Sequence, residues 1–301
     1  MKREVPREVQ KERRFTREVL WMTSWYRLIL NPEGAFAGEF DSIKIYGSII
    51  NAYSELYGSA SEILETIKNG ELRVSSPMPT KEGKFYVFKP MLPTEKLEYK
   101  DFKRFKKKKF VDERLAIKSL KEGKYSKERV EEIIGDDTAG IKTVELPGVS
   151  IGRYGGSSTI YYKTAGLYTH KAWILVKMSN EIKDRVLAVF RYLGDMGISK
   201  KRSTGFGHFK VSLEDYELEN DGMYSMILSK YIPSQEELGG FPFERCRYEV
   251  KLITGYTKDG KVIPKMRALV EGSVIPSDYS PLGRVVDVHP KYSVVGVPVV
   301  I

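Results

Sequence analysis

Cysteine and histidine are nearly missing: one cysteine, Cys246, and three scattered histidines, His170, His208 and His289, in 301 residues. A lone cysteine excludes an intramolecular disulfide and suits a reducing compartment. Histidines so far apart cannot supply the clustered ligand spacing of a structural zinc site. HExxH, GxSxG and CxxC do not occur, so no ready-made zinc-protease, serine-hydrolase or dithiol site is written in the chain. No apolar run approaches the roughly 20 residues of a membrane span. The N-terminus, MKREVPREVQKERRFTREVLWM, lacks the apolar centre of a signal peptide. The expectation is a cytoplasmic protein that touches no membrane, with no catalytic group, no metal and no cofactor.

What is present is positive charge. Lysine and arginine outnumber aspartate and glutamate by 50 to 40, giving +10 at pH 7. Such a balance favours polyanionic partners without requiring one. At 41% hydrophobic, the chain has enough apolar residues for one large domain or two smaller ones.

The order of elements is legible in parts. Residues 1–22 alternate Arg/Lys with Glu and read as a charged extension. A strand is expected over 24–30 (SWYRLIL), then a helix capped by Ser42 and running to Tyr57, with Ile43, Tyr46, Ile50, Tyr53 and Tyr57 on its buried face and Gly58 at its end. A short helix near 61–68 leads to strands at 72–76 (LRVSS) and 84–88 (KFYVF). Residues 91–140 differ in character and read as an insertion with a wet outer face. They hold KDFKRFKKKKF (100–110), in which seven of the first ten residues are basic. Phe102 and Phe105 there are available to stack on bases; the simpler reading is a solvated strand or loop with both rings turned inward.

After strand-like pieces at 149–153 and 155–162, HKAWILVKM (170–178) reads as a buried strand opened by a structural His170. A helix then runs to Leu193, with Ile182, Val186, Val189, Phe190 and Leu193 on one face and Gly194 at its stop. HFKVSL (208–213) alternates as a half-buried strand. Strand, helix, strand, excursion, strand, helix, strand is the βαββαβ order of a ferredoxin-like domain with an insertion. This gives an α+β chain: a domain over 23–215 with an insertion at about 91–140, then a mostly β unit over 216–301 with strands near 223–229, 245–256, 262–275 and 293–300.

Between the last helix and strand of the first domain lies GDMGISKKRSTGFGHF (194–209). Gly197, Gly205 and Gly207 bracket Lys200, Lys201 and Arg202, followed by Ser203 and Thr204. Glycine permits close backbone approach, and cations beside such a backbone suit a phosphate-bearing partner. A Walker loop is excluded because its glycines precede a helix, whereas these follow one and enter a strand. A GxGxxG fingerprint fails as well, because Lys210 takes the third glycine position. Two readings stay open on the residues alone: a solvated charged loop, or a contact to RNA, which His208 adjoins.

The residues also carry a family likeness. GISKKRSTGFGHF resembles the glycine-rich loop of the RAMP superfamily, the repeat-associated proteins of CRISPR–Cas systems. SIKIYGSIINAYSELYG is similar to the first helix of these proteins, LRVSSPMP and KFYVFKPML to the strand ends that follow it, and VSIGR with STIYY to the segment before the central strand. KMRALVEGSVI and GRVVDVHPKYSVVGVPVVI resemble the closing strands of one subgroup, the Cas five-group subunit of the type III-A (Csm) effector complex. The likeness covers about residues 23–301. It implies a ferredoxin-like (RRM-like) domain followed by a smaller, β-rich, ferredoxin-like one. It also implies a non-catalytic subunit that caps the 5′ tag of the CRISPR RNA and joins the large polymerase-like subunit to a backbone RAMP subunit. Carried over by position, Gly197, Lys200, Lys201, Arg202, Ser203, Thr204, Gly205 and Gly207 would meet RNA, with Arg153 and His208 as further contacts. The family often has an acidic residue just before that arginine; this chain has Gly152. Two other functions remain: a RAMP endoribonuclease cutting repeat RNA, with His170 or His208 pressed into acid–base service, and the equivalent subunit of a type III-B complex.

Overall fold

The structure is a computed structural model that describes residues 23–36, 40–136, 141–152, 158–168, 170–198, 205–217, 222–257 and 259–301. The fold is mixed α/β, with seven α-helices among the described residues. None of these helices is long and apolar enough to cross a membrane.

The chain opens with β1 (Thr23–Pro32), α1 (Ser42–Tyr57), α2 (Ser61–Lys68), β2 (Arg73–Val74), β3 (Met78–Lys81) and β4 (Lys84–Phe88). Next come α3 (Tyr99–Lys107), β5 (Phe110–Asp112), α4 (Glu113–Glu122) and α5 (Lys127–Gly135), then a hairpin of β6 (Ile141–Ile151) and β7 (Ser158–Tyr168). β8 (Ala172–Ser179), α6 (Asn180–Met196) and β9 (Phe209–Tyr216) follow. The remainder is β10 (Tyr224–Met226), α7 (Gln235–Gly240), β11 (Val250–Tyr256), β12 (Val262–Leu269), β13 (Val274–Pro276), β14 (Arg284–His289) and β15 (Tyr292–Gly296).

The main sheet runs β5-β4-β3-β8-β1-β9, with β2 also paired to β8. β1 lies antiparallel between its neighbours, from Thr23 opposite Ser179 to Leu30 opposite Ala172, and from Trp25 opposite Tyr216 to Pro32 opposite Phe209. Period-two alternation sends successive residues to opposite faces, and here both faces are covered. Ile174, Val176 and Met178 of β8 pack with Leu28 and Leu30 of β1 against α1 and α6. Trp173 and Leu175 point the other way, into a core built by the 86–134 segment and by Met226, Leu228, Val274, Val299 and Ile301. Burial on both faces explains why β8 reads as an unbroken apolar run.

Several expectations shift by a residue or a turn. Asp41, not Ser42, caps α1: its backbone is extended and its carboxylate accepts the Lys44 N–H at 3.1 Å. Ser42 is the first helical residue and lies buried, accepting from the Lys230 N–H at 2.8 Å. The inward face of α1 is accordingly Ile45, Tyr46, Ile49, Ala52 and Tyr53, while Tyr57 is exposed. The α6 face is as expected, but the helix continues to Met196, with Gly194 inside it and Gly197 as its cap. Residues 99–107 form a helix rather than a strand or loop. Phe105 is buried there and Phe102 is 45% exposed. His170 is exposed and stands two residues ahead of β8. β14, paired to β15 as a hairpin, adds a strand that the strand spans read from the sequence did not include.

Candidate nucleic-acid interface

β1, α6 and β9 converge at the end of the sheet where β1 finishes, and there they fix both ends of the glycine-rich loop. Gly197 closes α6 at φ 79°, and its N–H donates to the Leu193 carbonyl at 2.8 Å. Ile198 donates to the Gly207 carbonyl at 3.1 Å, which joins the loop's entry to its exit. The exit is held in turn by the β1–α1 connection: Gly207 donates to the Ala35 carbonyl and Glu33 to the His208 carbonyl, both at 2.9 Å. A Cβ on Gly34 would stand only 2.9 Å from the Gly205 carbonyl oxygen, so that approach requires glycine. Ile198 and Phe206 are buried and pin the two ends by their side chains.

The same connection reaches the β6–β7 hairpin, where Phe36 and Gly166 exchange backbone hydrogen bonds at 2.7 and 2.8 Å. Phe36 is buried and stacks on Phe40 with ring centroids 4.8 Å apart. The paired ends of this hairpin, Ile151 and Ser158, lie eight residues of β7 beyond Gly166, roughly 26 Å along the strand at 3.3 Å per residue. The strand end preceding Arg153 is thus carried well away from the contact with Phe36.

Of the residues read from the sequence, Gly197, Gly205, Gly207 and His208 are brought together in this frame. Lys200, Lys201, Arg202, Ser203, Thr204 and Arg153 lie outside the described residues. Lys210, just after His208, pairs with Asp195 at 3.1 Å across the base of the loop. Asp195 favours the charged form, so the Lys210 pKa is raised. The sequence reading missed the supporting residues Gly34, Ala35 and Phe206. Gly34 had a signal in the NPEGAF turn, but its partner lies 171 positions along the chain.

Behind this frame runs a buried polar chain. Ser42 donates its N–H to Ser76 Oγ at 2.9 Å, Ser76 Oγ donates to Glu271, and Glu271 pairs with Lys230. Burial pushes the Asp41 carboxyl up, against the lowering effect of the Lys44 backbone N–H. The chain ties the start of α1 to the EGSVI segment near the C-terminus.

No family model matches the chain. Its fold is like that of solved chains from type III effector complexes. It is similar, at TM-score 0.60 and 18% identity over 91% of this chain and 98% of the other, to a chain in the crystal structure of a Csm3–Csm4 subcomplex in the type III-A CRISPR–Cas interference complex. It is similar at TM-score 0.62 and 19% identity, over 92% of this chain and 97% of the other, to a chain of a Csm1–Csm4 cassette in complex with cA4. A chain of the type III-B Cmr-beta complex bound to cognate target RNA gives TM-score 0.51 at 15% identity, over 83% and 86% of the two chains. In sequence, the chain is 26% identical over 280 residues to the CRISPR system protein Csm4 of Thermococcus onnurineus strain NA1, covering 85% of this chain and 89% of that one. The type III-A RAMP family read from the sequence is borne out by both likenesses.

Proposed function

We propose that this chain is the RNA-anchoring subunit of a type III-A interference complex, holding the 5′ tag of the guide RNA on the loop at 197–208. In this reading it joins a large subunit on one side to a backbone subunit on the other. The relatives named in Csm1–Csm4 and Csm3–Csm4 structures support both contacts, and the type III-B likeness is the weaker. The observation that carries the reading is the frame itself. Both ends of the basic segment are pinned by backbone hydrogen bonds and buried side chains, which leaves six residues, ISKKRST without its isoleucine, to present three cations and three hydroxyls. Anchored ends lower the entropy lost when such a segment grips a phosphate chain. A single-stranded RNA end is held well by phosphate contacts plus splayed bases.

The antiparallel order β9-β1-β8-β2/β3, with α1 and α6 on one face, supports a ferredoxin-like unit over 23–215 with an insertion. A smaller β-rich unit over 216–301 completes it. The subunit has no catalysis of its own in this reading.

The test is Lys200→Ala, Lys201→Ala and Arg202→Ala together. Affinity for tagged guide RNA should fall, and the slope of log K against log salt should shrink by about 2, at roughly 0.7 per phosphate on a single strand. Unchanged affinity in a folded variant would reduce the loop to a solvated turn. Metal-independent cleavage of repeat RNA, abolished by His170→Ala or His208→Ala, would replace the reading with an endoribonuclease.

A further inference from the structure

A second basic surface lies elsewhere, in a cleft of about 630 Å³. Its walls are the 88–94 segment, the C-terminal half of α3 with the residues that follow it, and residues 249–251 and 270–271. Seven lysines and two glutamates line it. Lys230 and Glu271, with side chains only 4% and 7% exposed, neutralise one another at its floor. Four further lysines, Lys89, Lys106, Lys107 and Lys109, line the walls beside one remaining glutamate, Glu249.

We propose that this cleft is a nucleotide site, taking the phosphates of a nucleotide, either free or as a unit of an RNA strand, with Phe102 offering its ring to the base.

The fold holds two of these cations against aromatic rings. Lys89 donates to the Phe105 carbonyl at 2.7 Å and lies 4.2 Å from the Phe105 ring centroid. Lys109 sits over Phe110 at 5.4 Å. Among the described residues, no carboxylate ion-pairs with Lys89, Lys106, Lys107 or Lys109. Burial alone pushes the Lys89 ammonium down to about 8, a cost that an incoming phosphate would remove.

Favourable contact with the α3 dipole accounts for Lys106 and Lys107 in its last turn. It does not account for Lys89, which a separate segment brings to the same cleft, or for Lys109, which lies beyond the helix end. A concave, low-dielectric wall of one charge sign concentrates field toward an anion, and the volume suits a mononucleotide. Phe102, at 45% exposure on the lining, supplies a stacking face. The proposal stands apart from the reading of the glycine loop, because the residues of the two surfaces do not overlap.

The experiment titrates the full chain with fluorescent methylanthraniloyl-ATP and, separately, with labelled oligouridine. Lys106→Glu/Lys107→Glu/Lys109→Glu and Phe102→Ala are compared with the wild type, each in the native and in the Lys200→Ala/Lys201→Ala/Arg202→Ala background, so that loop and cleft are read separately. The triple reversal should weaken binding about tenfold or more, and Phe102→Ala by less, with melting temperatures kept. Loss of ATP binding points to a free nucleotide; loss confined to oligouridine points to a strand. A cleft variant that folds and binds both probes as the wild type does, or a wild type that binds neither, overturns the proposal.

Discussion

At the scale of single residues, two side chains act against their usual tendency. Alanine in place of glycine inside a helix ordinarily stabilises by up to about 1 kcal/mol. Gly194 reverses that sign, because a Cβ there would lie 2.2 Å from the Phe209 carbonyl oxygen, a backbone atom of β9 that cannot step aside. Gly194→Ala should therefore destabilise the chain by about 1–3 kcal/mol in urea unfolding, the usual cost of overpacking. It should also weaken RNA binding, since α6 and β9 are the two legs of the loop. Lys89 carries the opposite burden, a half-buried cation with no carboxylate partner among the described residues. Its folded pKa of about 8 lies below the ordinary 10.5. Between those values the unfolded chain binds more protons than the folded one, so this lysine makes stability rise with pH across that window and costs stability below it. Lys89→Met should raise the melting temperature near neutral pH and flatten its rise between about pH 8 and 10. An unchanged profile would place the titration elsewhere.

At the scale of elements, short pieces are held by shared acceptors rather than by their own length. α7 has six residues, too few to be stable alone, and its capping box does more than close a helix. Ser234 Oγ accepts the Glu237 N–H at 3.1 Å, and Glu237 accepts the Ser234 N–H at 2.8 Å. The same carboxylate accepts from Tyr231 Oη at 2.9 Å, from the Leu282 N–H at 2.6 Å and from the Gly283 N–H at 3.0 Å. One side chain thus fixes the start of α7 and the entry to β14. Glu237→Ala should cost about 2 kcal/mol or more, because it strands backbone donors that a lost cap alone would not. Hydrogen exchange should quicken at residues 282–283 as well as in α7; a change limited to α7 would show that the carboxylate does not hold the β14 entry.

At the scale of the whole molecule, the closing residues stitch the two cores together. Val297 belongs to the cluster under α1 and α6, while Val299 and Ile301 lie in the cluster on the opposite face of the sheet. Met226 and Ile301 exchange backbone hydrogen bonds at 2.7 and 3.1 Å. Removing residues 298–301 withdraws two fully buried aliphatic side chains, each worth about 1.5–3 kcal/mol, and should lower the melting temperature sharply. Removing residues 1–21 should leave it within a few degrees, because their Arg/Lys/Glu alternation has no apolar stripe to bury. Comparable losses from both deletions would mean that the charged extension docks on the fold.

The sequence by itself settled part of what depends on local periodicity. The α6 face was legible because Ile182, Val186, Val189, Phe190 and Leu193 repeat at helical steps, and β4 matched its expected bounds because an aromatic, β-branched run ends at a proline. The family resemblance and the loop's polarity were also written locally, in the order of helix, glycines, cations and strand. Periodicity records that a face is buried, but not what covers it. The cap of α1 moved to Asp41 because Ser42 is claimed by Lys230 and Ser76, partners far along the chain. Residues 99–107 became a helix because one phenylalanine, Phe105, found a core against Tyr125, ring to ring at 4.9 Å, and no local pattern announced that pairing. The lysine cleft is the strongest case. Lys89 and Lys106 are unremarked singly, and they share one cleft only because folding brings distant segments to one surface.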